Sequence, residues 1–180
     1  PSLEKGQSEQ DRGEFGAFAL YLVLAERIPT TQALAAADSW GGDQYASYTE
    51  NNRTCVQDAF TGQTTQGTQR ITMALGLWAK GSGGAASVSR HMTTVTLNAC
   101  DPGPNYRVPA DRSMHALELL AMRNGIESSV EKDGPSLQFA VCYASTLVQQ
   151  FSIAVLSSDK ASRAAENQFR RIATNCYANP

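Results

Sequence analysis

The run Ala36-Ala37-Asp38-Ser39-Trp40-Gly41-Gly42-Asp43-Gln44-Tyr45 separates two kinds of pattern in this chain. On its N-terminal side Phe15, Phe18, Ala19, Leu20, Leu22, Val23 and Leu24 fall on nearly every side of a helical stretch. A helix that is apolar all round belongs in a core. Pro29 breaks it, because proline inside a helix removes a donor and clashes with the preceding turn. Thr30 then caps a short second helix over 31–38. Gly41-Gly42 is the expected stop, since glycine takes positive φ without a Cβ penalty. Trp40 offers a large apolar surface for packing where helix meets sheet.

Beyond that run the period changes to two. Tyr45 and Ser47 alternate with Ala46 and Tyr48, Asn51-Asn52 forms a turn, and 54–60 returns as a second strand. Residues 65–80 read as a helix with Ile71, Ala74, Leu75 and Trp78 on one face and with Gly67 and Gly76 as weak points. The loop Gly81-Ser82-Gly83-Gly84 leads to a second hairpin over 86–90 and 93–99. The order ββαββ predicts an α+β fold, a small antiparallel sheet packed with helices. Asp101-Pro102-Gly103-Pro104 closes that region. A C-terminal helical region follows: Asp111 caps a helix over 112–124 that Gly125 stops, Pro135 opens the next, and Asp159 caps the last. The expected organisation is a flexible lead-in over 1–10, an α+β core over 11–104 whose Asp11 caps the first helix, and a helical region over 105–180. That region is expected to pack on the same core, giving a single domain.

The 180 residues carry 15 Lys and Arg against 17 Asp and Glu, a net charge of −2, with 42% apolar and 18% charged residues. The cations are scattered, so no basic field draws in nucleic acid. The apolar stretch from Phe15 to Ala25 is too short to span a bilayer. Any export signal or membrane anchor is expected upstream of Pro1.

Four cysteines, Cys55, Cys100, Cys142 and Cys176, stand far apart with no C-x-x-C pair, which argues against zinc knuckles and thioredoxin-like sites. An even, wide spacing fits two structural disulfides formed in an oxidising compartment. Three connectivities are open. Cys55–Cys100 with Cys142–Cys176 is preferred, because each pair then falls within one half of the chain. Cys142 and Cys176 also lie on the apolar stripes of their own helices.

The run from Gly13-Glu14-Phe15 through Leu24-Ala25-Glu26-Arg27 to Ala33-Leu34-Ala35 and the Ala36–Tyr45 stretch resembles a domain of uncharacterised secreted or membrane-anchored actinobacterial proteins of mycobacterial type. In those proteins a GE…Y…L…R helix precedes an AADGWGGD-Y turn and a strand carrying a cysteine. Cys55-Val56, Ala99-Cys100-Asp101-Pro102-Gly103 and a C-terminal helical region with two cysteines fit the same pattern. Ser39 stands where the pattern has glycine. Similar segments occur downstream of zinc-metallopeptidase-like domains, although this chain has no metallopeptidase motif. The resemblance implies an extracytoplasmic place and supplies no tested function.

Catalytic signals are sparse. His91 falls at a hairpin tip, where a solvated role is ordinary. His115 and Glu118 stand at i, i+3, a spacing that can share a metal, but no H-E-x-x-H accompanies them and a solvated helix face explains them better. The loop 81–84 lacks the Lys and Ser/Thr of a phosphate loop, and no serine sits in a G-x-S-x-G elbow. Asn52-Arg53-Thr54 is a formal glycosylation sequon that marks a surface turn. Neither a cofactor nor a metal is expected. Glu14, Asp38 and Asp43 flank the opening stretch and would converge beside Trp40 if they acted as paired acids on a polymer. Each acid also has a local role at a helix end or turn. The leading expectation is an extracytoplasmic binding domain that contacts a protein or cell-envelope component through Trp40, Asp43, Tyr45, Glu14 and Asp38. The alternatives are a hydrolase acting on an envelope polymer through Glu14, Asp38 and Asp43, and an accessory domain of a larger metallopeptidase-like protein.

Overall fold

The computed structural model describes residues 1, 3–4, 6–107, 113–158 and 160–178, so the caps expected from Asp111 and Asp159 lie outside the described residues. The chain divides into two compact units, Pro1–Ser113 and Met114–Pro180. No helix among the described residues is long and apolar enough to cross a membrane.

The first unit is a five-stranded antiparallel sheet with three helices on one face. Its elements are β1 (Ser8–Gly13), α1 (Gly16–Ala25), α2 (Thr30–Ala37), β2 (Trp40–Glu50), β3 (Arg53–Gly62), α3 (Thr65–Lys80), β4 (Ala86–His91) and β5 (Thr94–Cys100). The strand order is β1-β2-β3-β5-β4. Four strands and the intervening helix are those expected; β1 is not. Residues 8–10 belong to β1, with Ser8 and Glu9 paired to β2, rather than forming a loose lead-in, and Asp11 lies within β1 rather than capping α1. The edge strand SEQDRG has no apolar alternation, and its charged side chains guard the free edge against further pairing.

Asn51 and Asn52, at φ 51° and 60°, make the two-residue turn that joins β2 to β3, a geometry matched to the strands' own twist. Phe60, Val95 and Leu97 face α3, whose Ile71, Ala74, Leu75 and Trp78 are buried as the helical spacing required. Thr64 caps α3 by accepting the Gly67 N–H at 3.0 Å. Cys55 and Cys100 are opposite each other on β3 and β5 and are bonded at 2.05 Å.

The glycine pair has a different role from the one expected. α2 ends at Ala37, and Ser39 closes its last turn by donating its hydroxyl to the Ala35 carbonyl at 2.9 Å. Gly41 and Gly42 belong to β2, at an irregularity in its pairing with β3. A Cβ on Gly41 would stand 2.7 Å from the Gln63 nitrogen, so the constraint is close backbone approach between strands.

In the second unit α4 (Ser113–Lys132), α5 (Leu137–Gln150), the short α6 (Ile153–Leu156) and α7 (Arg163–Ala178) follow in order. Gly125, expected to stop α4, lies inside it; the helix ends instead at Lys132, and Gly134 beyond it takes a φ of 99°. Ser136, rather than Pro135, opens α5 by accepting the Phe139 N–H at 3.2 Å. Phe139, Leu147, Ile172 and Cys176 form the core of this unit. The Cys142–Cys176 bond joins α5 to α7 within it.

Candidate functional site

The site forms where the start of α1 meets β2. α1 begins at Gly16 without a local side-chain cap, because neither Glu14 nor Phe15 supplies one. Its leading amides find their acceptor on another element. Asp43 of β2 accepts the Phe15 N–H at 2.6 Å and the Gly16 N–H at 2.8 Å. The same carboxylate accepts the Trp40 indole N–H at 2.7 Å. A carboxylate suits this place twice over, as an acceptor for orphan amides and as a negative charge at the positive end of a helix.

Beside Asp43, the Phe15 and Tyr45 rings meet edge to face at a centroid distance of 6.3 Å. The Tyr45 hydroxyl donates to Asp11 of β1 at 2.6 Å. That bond draws the Asp11 pKa below its ordinary value and raises that of Tyr45. Phe15 and Phe18 are 36% and 56% exposed, so α1 is a surface helix with one apolar side open rather than the enclosed helix its composition suggested. Glu14 and Asp38 are exposed at the start of α1 and the end of α2. The structure therefore joins Trp40 to Asp43 directly, sets Tyr45 beside them through Phe15, and commits Asp43 to three donors.

One acid escaped the sequence reading. Asp58 of β3 is 3% exposed and lies opposite Tyr45 on one side and Leu97 on the other. Among the described residues its Oδ1 has no hydrogen-bond partner. Burial, then the nearby charge of Asp43, pushes its pKa up to about 7, against a weaker opposing pull from a bond to the Ala59 backbone. The sequence did hold a signal. Val56, Asp58 and Phe60 alternate onto one face, and a carboxylate in such a row is a buried polar group.

His91, His115 and Glu118 are exposed, and among the described residues no group of three or more His, Cys, Asp or Glu side chains is placed to hold a metal ion. Ser82 is buried in its own loop, donating to the Ala79 carbonyl at 2.6 Å and accepting the Ala86 N–H at 2.9 Å. Chemically, the site offers aromatic surface with a fixed geometry, a carboxylate engaged by three donors, and a buried acid beside it. No protein-family model matches the chain, and comparison with curated proteins and with solved structures finds no match.

Proposed function

We propose that this chain is an extracytoplasmic binding domain of a secreted or envelope-associated bacterial protein, of the actinobacterial kind that its Trp40–Tyr45 stretch resembles. Its contact surface is the patch of Phe15, Phe18, Tyr45 and Trp40, with the acids Asp11 and Glu14 at its margin. The carrying observation is that large aromatics stay partly exposed while hydrogen bonds to Asp43 and Asp11 fix their setting. Aromatic side chains supply much contact area at little ordering cost, which is why they dominate binding hot spots. Two closed disulfides suit an oxidising compartment. The partner in this reading is a protein or a cell-envelope component.

Crosslinking in intact cells followed by affinity capture tests the reading, with Phe18→Ser as the control. The wild-type chain should retain a specific partner that the variant loses. Equal capture by both chains would remove the patch from the account. Turnover of an envelope polymer by purified protein, lost in Asp43→Asn without loss of fold, would replace binding with hydrolysis.

A further inference from the structure

A concavity of about 390 Å³ in the first unit shares no residue with the aromatic patch. Arg53, Gly83, Gly84, Asn105 and Tyr106 are among the residues lining it. Gly83 and Gly84 take φ of 63° and 89°, a left-handed pair suited to glycine. Among the described residues neither of their amides donates to an acceptor. Successive free N–H groups in such a turn make an anion-binding hollow.

Arg53 is held in place by its backbone-facing bonds. Nε donates to the Asp101 carbonyl at 2.8 Å and Nη2 donates to the same oxygen, which leaves Nη1 unengaged among the described residues. The Asp101 N–H bonds the Thr54 carbonyl at 2.8 Å, and the Cys55–Cys100 bridge ties the same strands together. Asp101 itself is turned to local use, since its Oδ1 accepts the Gly103 N–H at 2.8 Å.

A second cation stands behind Tyr106. The guanidinium carbon of Arg27 lies 4.1 Å from the Trp78 ring centroid and 5.2 Å from that of Tyr106. Its Nε and Nη1 are buried with no hydrogen-bond partner among the described residues. Buried cations are ordinarily paired, and ring faces offset only part of the lost hydration. The carbonyls ending α3 would repel an anion, but two of them already accept protons: Ala79 from Ser82 Oγ and Gly81 from the Tyr106 hydroxyl at 3.0 Å.

We propose that this concavity binds a small oxyanion, the phosphate or carboxylate end of a soluble ligand, using Arg53 Nη1 and the Gly83 and Gly84 amides as donors with Arg27 as the supporting charge. The inference stands apart from the aromatic patch and survives the loss of that reading. Amide NMR titrations of the intact chain with inorganic phosphate, acetate and glucose at matched ionic strength test it. Phosphate or acetate should move the Gly83 and Gly84 amides to saturation, and whichever saturates first identifies the end group. Arg53→Gln should weaken that binding about tenfold, the worth of one charge-assisted hydrogen bond. Non-saturating shifts, equal shifts with neutral glucose, or an Arg53→Gln variant that binds as well as wild type would each overturn the proposal. Should Arg53→Gln disturb the fold, the wild-type titrations still decide between these outcomes.

Discussion

Trp40 donates its indole N–H to Asp43 at 2.7 Å, within the same strand and across the irregularity that Gly41 and Gly42 create. That bond orients a carboxylate whose other donors, the Phe15 and Gly16 amides, come from residues 28 and 27 positions earlier. Asp43 is therefore a long-range helix cap, and the local sequence before α1 carries no equivalent.

Asp43→Asn tests this directly. An amide keeps the shape but loses the charge, and its NH₂ is a donor only, so at least one of the three N–H groups loses its acceptor. The expected cost is about 2 kcal/mol, or a fall in Tm of several degrees for a unit of this size. Thermal unfolding followed by near-ultraviolet circular dichroism, which reports the tryptophans, would check it. An unchanged melting temperature would free Asp43 for a chemical role.

Asp58 gives the chain a pH dependence of unusual sign for a carboxylate. Its folded pKa is raised to about 7, above the ordinary value of 3.8. Below about pH 4 both folded and unfolded forms carry the proton, and Asp58 contributes nothing. Between about pH 4 and 7 the folded chain keeps the proton and the unfolded chain releases it, so stability falls as pH rises. Above about pH 7 the full penalty, on the order of 4 kcal/mol at most, is present. Denaturant unfolding of wild type and Asp58→Asn across pH 4–8 should show the two stabilities diverging over that window, with the variant gaining as pH rises. Parallel curves would show that Asp58 does not titrate there.

These two acids also mark how far the sequence could be read. Hairpins, α3 and both disulfides were legible because each rests on a local signal: the Asn51-Asn52 turn, the Ile71–Trp78 spacing, the cysteine intervals. β1 was not, since SEQDRG has no apolar alternation and is a strand only because β2 offers it a partner. Asp43 was assigned to the local glycine turn because two of its three donors, the Phe15 and Gly16 amides, come from the start of α1. Gly125 was read as a helix stop on propensity alone, and the α4 sequence continues past it to Lys132.

The bridges are expected to act within their own units. Each closes a loop, with sequence separations of 45 for Cys55–Cys100 and 34 for Cys142–Cys176. Chain-entropy arguments give about 4 kcal/mol for loops of this length. Replacing Cys142 and Cys176 by serine should lower hydrogen-exchange protection in α5 and α7 while sparing β2 and β3. The Cys55 and Cys100 pair of substitutions should do the reverse. Uniform loss of protection in either variant would mean that the two units unfold as one.

Glycines separate the backbone contacts from mere helix propensity. Gly62 ends β3 against the first turn of α3, and a Cβ there would stand 2.2 Å from the Thr68 nitrogen and 2.6 Å from the Gly67 carbonyl carbon. Neither neighbour is a side chain that can swing away, so the strand end and the helix would have to part. Gly76 is also in the first unit, inside α3, but a Cβ at that position meets nothing within 4 Å. Gly62→Ala should cost about 3 kcal/mol or more, in the range of overpacked cores. Gly76→Ala should raise stability by about 0.5–1 kcal/mol, since alanine has less chain freedom to lose and the site has room for it. Urea titrations of the two variants against wild type would therefore move the midpoint in opposite directions. A Gly62→Ala chain as stable as wild type would show that the β3–α3 junction can separate without loss, and the close approach of its backbones would then not be what holds α3 on the sheet.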